Sequence, residues 1–146
     1  MLYVNLMGGL GNQLFQIFTL INLSIEKRVA FKLPINKKDL VSPLDNSHYR
    51  PMYWNNFLKN LSRFVIQFEE KYVLIREPSF LYHDLTVLDI NPFINIKLFG
   101  YFQNEKYFKK NYENILKYIK FKEIQNTIFN KHKDLFKIKQ YLCILE

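Results

Sequence analysis

Three of the chain's four glycines, Gly8, Gly9 and Gly11, stand within four positions of one another. They follow residues 2–7, a short run rich in apolar residues of the kind that forms a buried strand. They precede residues 14–27, where Leu14, Phe18, Ile21 and Ile25 recur at three-to-four spacing and Phe15, Ile17 and Leu23 widen the same face. That spacing predicts a largely buried helix. Val29, Ala30, Phe31, Lys32 and Leu33 then supply a second short strand closed by Pro34. The opening of the chain therefore reads strand, glycine loop, helix, strand, which is one βαβ unit. Glycine lacks a Cβ and takes up positive φ at little cost, so such a loop turns sharply and lets a ligand approach backbone N–H groups. The helix behind it aims its unpaired amides at the same place.

The remainder continues the alternation. Residues 52–61 predict a short helix carrying the only tryptophan, Trp54, and residues 71–77 and 96–102 each predict a strand. Asn104 is a candidate N-cap for a helix running through Lys120, with Phe108, Tyr112, Ile115 and Ile119 on one face. Phe121, Ile124, Ile128, Leu135 and Ile138 extend a helical spacing, and residues 141–145 form a strand-like apolar run. Strands alternating with helices predict an α/β sandwich with a mostly parallel sheet. At 146 residues one domain, spanning 1–146, is expected, and an apolar fraction of 49% with 17% aromatics is ample for a packed core.

The net charge of +8 would favour polyanions, anionic membranes or phosphorylated small molecules. The excess is lysine scattered among Asn and Ile, and it forms no motif that reads nucleic acid. Cys143, the single cysteine, excludes an internal disulfide and cannot by itself build a zinc site. No stretch approaches the roughly 20 apolar residues that span a bilayer, and no basic segment precedes an apolar run at the amino terminus. A soluble protein of a reducing cytoplasm is the expectation.

The glycine loop matches neither of the common phosphate-binding patterns. Gly9-Leu10-Gly11 is followed by Asn12, Gln13 and Leu14 where a dinucleotide fingerprint needs Gly or Ala, and no Gly-Lys-Ser or Gly-Lys-Thr is present. Glycine for turn geometry alone and glycine for ligand access both remain open on spacing alone.

The full string Gly8-Gly9-Leu10-Gly11-Asn12-Gln13-Leu14-Phe15-Gln16 closely resembles the amino-terminal motif of bacterial-type α-1,2-fucosyltransferases. A second string, Leu98-Phe99-Gly100-Tyr101-Phe102-Gln103-Asn104-Glu105-Lys106-Tyr107-Phe108, is similar to that family's Gly-Tyr-Phe-Gln and the Lys-Tyr-Phe helix start behind it. The resemblance implies a GT-B enzyme, in which two Rossmann-like domains face a cleft and fucose passes from GDP-fucose to the 2-hydroxyl of a galactoside, with no metal required. It implies that Gly8, Gly9, Gly11, Asn12 and Gln13 line the cleft, the two amide side chains meeting sugar hydroxyls or phosphate. Asn12 as a helix N-cap is the structural alternative.

Family members also carry His-x-Arg-Arg-Gly-Asp-Tyr, whose arginine is expected to hold the donor pyrophosphate. Arg28, Arg50, Arg63 and Arg76 are the only arginines here, and none stands in that context. The resemblance thus predicts an amino-terminal half, weak or inactive as a transferase by itself, with a second polypeptide as one source of the other domain. It also predicts a site of action on the cytoplasmic side, against the inner membrane. A glycan or nucleotide-sugar binding module without catalysis is the alternative. No catalytic base is assigned: Glu69, Glu70 and Glu77 flank a predicted strand and read as solvated strand ends, and His48, His83 and His132 are scattered. Trp54 with Tyr53 and Tyr49 could stack on a sugar, although aromatic clusters are more often core.

Overall fold

The computed structural model describes residues 1–34, 52–91 and 93–142. His48, Tyr49, Arg50 and Cys143 lie outside the described residues. Strand β1, Leu2–Val4, is buried along its whole length. It runs into helix α1, Leu10–Lys27, which buries Ile17, Leu20, Ile21 and Leu23 against the sheet. The helix begins four residues before the apolar periodicity does, because the glycine-containing turn residues themselves take helical geometry. Gly9 is the N-cap, with φ −75° and ψ 179° and no side-chain capping bond. Asn12 is therefore inside the first turn, and the N-cap alternative for it is corrected. At the other end Arg28 adopts the left-handed conformation (φ 54°), and the amides of Arg28 and Val29 close back on the carbonyls of Ile25 and Ser24.

The chain then returns parallel to β1. Leu2 donates to Ala30 O at 2.8 Å and accepts from Lys32 N at 2.9 Å, forming a single bridge at Phe31. The second strand proper, β2 at Leu33–Pro34, pairs with β3 at Val65–Ile66. Strand β4, Val73–Arg76, and β5, Ile96–Phe99, complete a three-stranded sheet in the order β1-β5-β4. Every strand pairing among the described residues is parallel. The molecule is thus a mixed α/β fold with a small parallel sheet, as expected.

Three sequence expectations need correction. Residues 52–61 do not make a helix: the chain turns through 54–58 and then forms a 3-10 segment, Lys59–Phe64. Leu58 and Leu61 are both fully buried, and a spacing of three places them on one side of a 3-10 turn. The predicted helix from Asn104 to Lys120 is broken into 3-10 turns at Glu105–Tyr107 and Lys109–Asn111, followed by α2 at Tyr112–Tyr118. Phe108, with φ −144° and ψ −3°, interrupts it so that its ring can pack edge-on against Phe18 and Phe15. Asn104 is nonetheless the N-cap of its turn, its side chain accepting from Lys106 N at 3.0 Å. Helix α3, Phe121–Leu142, follows, bent at His132 (φ −119°, ψ 18°). Tyr141 and Leu142 belong to that helix, so the expected terminal strand does not start there.

Candidate functional site

A parallel sheet places all its strand ends on one edge, and loops leaving that edge share a surface. From β1 the chain crosses through α1 to Phe31 on one side, while β5 lies on the other. The loops after β1 and β5, residues 5–13 and 100–104, leave the sheet side by side where the strand order reverses, the place at which open parallel sheets take ligands, and they meet there through Asn12 and Gln103.

On the β1 side the three glycines do different things. Gly8 has φ +74°, and a Cβ there would collide with the Asn12 side chain, so turn geometry explains it. Gly9 and Gly11 have no such need: a Cβ at either would meet open space, with nothing within 4 Å. Gly11 moreover sits in a helix, where glycine costs about 1 kcal/mol relative to alanine. Glycine is among the residues favoured at an N-cap, which suits Gly9, whereas neither packing nor backbone strain accounts for Gly11. What both do is leave the start of α1 uncovered, in a helix with no acidic side chain in its first turn to neutralise the dipole.

The glutamines hold the loop from inside. Gln13 is fully buried and donates from Nε2 to Gly8 O at 2.9 Å, and buried Gln16 accepts from Met7 N at 2.9 Å. Gln13 is thus a brace within the loop. Asn12 is half-buried between the two loops, and its Oδ1 accepts from Gln103 Nε2 at 2.7 Å. That bond joins the two resembling strings across 91 positions of sequence.

On the β5 side the organising group is Glu77, at the end of β4. Its Oε2 accepts from Tyr101 N at 2.8 Å and Phe102 N at 3.0 Å. Gly100 is required for this approach, since a Cβ there would lie 2.6 Å from the same oxygen. The arrangement holds Phe102, a buried residue, in the left-handed region (φ 53°). Tyr107 completes the support, its hydroxyl accepting from His83 N at 3.1 Å and standing 3.4 Å from Glu77 Oε1. Burial above all pushes the Tyr107 phenol above its ordinary value, with the nearby carboxylate adding to the effect. It stays protonated as a fixed hydrogen-bonding group.

The other candidates are engaged elsewhere. Glu69 pairs with the buried Lys97 at 2.7 Å, and Glu70 accepts from Asn95 Nδ2 at 3.0 Å. Glu69 and Glu77 are therefore half-buried fixed partners, which corrects the reading of solvated strand ends. Asp84 turns to Thr86, whose two hydrogen bonds lower its carboxyl, while neighbouring His83 meets Ser79 Oγ at 2.9 Å. His132 is exposed at the helix bend. Trp54 donates to Met52 Sδ and packs with Tyr53 against the core. Among the described residues no group of three or more His, Cys, Asp or Glu is placed to hold a metal ion. Nor is any described helix long and apolar enough to cross a membrane.

The site is legible in sequence on its β1 side and only partly on the other. Gln103 lay inside the second string without being singled out as a site residue. Glu77 lacked any local signal, because its partners are 24 and 25 residues away. Comparisons with protein-family models, curated proteins and solved structures found no match to this chain.

Proposed function

We propose that these residues form one wall of the substrate cleft of an α-1,2-fucosyltransferase-type glycosyltransferase, built on a Rossmann-like sheet of the GT-B kind. The observation that carries this reading is the meeting of the two resembling strings at the strand-order reversal, joined by Gln103 and Asn12. In the reaction the acceptor's 2-hydroxyl forms a bond to fucose C1 as the bond to the GDP oxygen breaks. The uncovered start of α1, with backbone amides and an unneutralised dipole, suits a phosphate or a developing negative charge. Asn12 and Gln103 carry amides that both donate and accept, which suits sugar hydroxyls.

A reading as a binding wall without catalysis of its own is favoured by one feature. The polar side chains that meet between the two loops, Asn12 and Gln103, are amides, and the carboxylate of Glu77 is occupied with backbone amides. In this proposal the pyrophosphate-holding arginine and the base come from a further domain, on this or another polypeptide, acting on the cytoplasmic side. Calorimetric titration with GDP and GDP-fucose, with and without chelator, tests it. Binding that survives chelation and is lost in Gly9→Val and Gly11→Val, with circular dichroism unchanged, is expected. Silence toward both nucleotides would sink the proposal.

A further inference from the structure

We infer that Phe80 and Tyr101 form a stacking platform for a pyranose ring beside the meeting of the β1 and β5 loops. Phe80 is 76% exposed, and its ring lies 19° from parallel to that of Tyr101 with centroids 6.3 Å apart. Phe68 and Phe93 are also highly exposed, but neither has a ring partner among the described residues. Phe80 therefore offers an exposed ring face backed by the near-parallel ring of the half-buried Tyr101, whereas the others are single exposed side chains.

Both rings are mounted on braced backbone. Beneath Phe80, Pro78 fixes one φ, Ser79 Oγ accepts from Leu81 N at 3.2 Å, and Tyr107 O–H receives His83 N at 3.1 Å. Beneath Tyr101, its own amide is bound by Glu77 at 2.8 Å. A ligand stacking here would have little chain left to order, which lowers the entropic cost of binding. Tyr101 precedes Gln103 by two residues, and Gln103 reaches Asn12, so the apolar surface adjoins neutral amides that can meet hydroxyls. A sugar ring combines those two needs. One face presents C–H groups suited to an aromatic surface, and its rim presents hydroxyls. The choice of sugar as the ligand rests on the reading of the two loops proposed above. The platform takes the place that Trp54 held as a stacking candidate, since Trp54 is half-buried, packed against the core and hydrogen-bonded to Met52.

Saturation-transfer NMR with methyl β-galactoside as the probe, alongside calorimetry with GDP, tests the inference. The expected result is strongest transfer to H3, H4 and H5, which share one face of a galactopyranoside, from the wild-type chain. Phe80→Ala and Tyr101→Ala should each weaken the saccharide about fivefold to tenfold, in line with a lost stacking contact, and Phe80→Ala should leave GDP binding unchanged. Phe80→Trp should restore it. Phe80 is exposed, so the alanine variant should fold as the parent does, which circular dichroism checks. Saccharide binding that is absent from the wild type, or unchanged in Phe80→Ala, would overturn the platform while GDP binding left the cleft reading standing. Loss of GDP binding in Phe80→Ala with saccharide binding intact would assign the rings to a nucleobase and equally overturn it. Saccharide binding lost in Phe80→Ala from a chain that ignores GDP would uphold the platform and remove the transferase reading.

Discussion

Replacing Glu77 by alanine should destabilise the fold far more than a polar residue at a strand end ordinarily would. Its carboxylate is the acceptor for two successive amides, Tyr101 N at 2.8 Å and Phe102 N at 3.0 Å. An inward-facing amide left without an acceptor costs about 1–3 kcal/mol, and bonds to an ionised acceptor stand at the upper part of the range for hydrogen bonds. Part of that loss is recovered, because the left-handed Phe102, strained by about 1–2 kcal/mol, is free to relax once its amide is released. Water entering the space vacated by the side chain recovers some more. The net expectation is a loss of about 2–4 kcal/mol, or about 6–12 °C in Tm at roughly 3 °C per kcal/mol for a chain of this size. Glu77→Gln keeps one acceptor oxygen without its charge and should lose about 1 kcal/mol. Urea unfolding followed by far-UV circular dichroism measures both. A Glu77→Ala chain within about 0.5 kcal/mol of the parent, the range of ordinary surface substitutions, would refute the assignment of Glu77 as the brace of the β5 loop.

Gly8→Ala should cost about 1–2 kcal/mol through its positive φ, whereas Gly11→Ala should stabilise α1 by up to about 1 kcal/mol and, like Gly9→Ala, weaken nucleotide binding. Thermal unfolding paired with calorimetry separates the two effects. Glu69→Ala leaves the buried Lys97 without its carboxylate and should cost about 3 kcal/mol, more than Lys97→Met, measured by the same unfolding assay. Hydrogen bonds from Lys110 and then Asn111 hold the Glu26 carboxyl below its ordinary value of 4.5. Its contribution is therefore complete above that value and is lost as pH falls from there through the lower folded-state value. The stability difference between the parent and Glu26→Gln should shrink as unfolding is measured at successively lower pH in that window, and a difference that stays constant would show that the pair contributes nothing.

How much of this was readable from sequence depends on how local each cause is. Helix α1 was legible because Leu14, Phe18, Ile21 and Ile25 repeat its period over about three turns, and β1 and β5 because each is a short apolar run followed by glycine. The interruption at Phe108 was not. Phe108, Tyr112, Ile115 and Ile119 satisfy a helical spacing, but Phe108 leaves the helix for an edge-on contact with Phe18, 90 positions earlier in the chain. Tertiary packing there outweighs the local period. The pairing of Leu2 with Ile96, which brings the β1 and β5 loops together, likewise has no local signature.

The glycines show why sequence could raise the site but not resolve it. All three look alike as letters, and the resemblance treats them as one motif. In the structure Gly8 is required by a left-handed turn pressed against Asn12, and Gly100, far away in sequence, by the approach of Glu77. Those two would be glycine in a protein that bound nothing. Gly9 and Gly11 have ordinary room and ordinary backbone, and Gly11 makes the helix weaker. The proposed function would account for a glycine at 11 that lowers stability and answers to no neighbour, as space kept clear for a ligand over the start of α1. Alanine at Gly11 is therefore the sharpest test of the proposed function, because stability and binding should move in opposite directions. If both improved, or neither changed, the open start of the helix would have no role in binding.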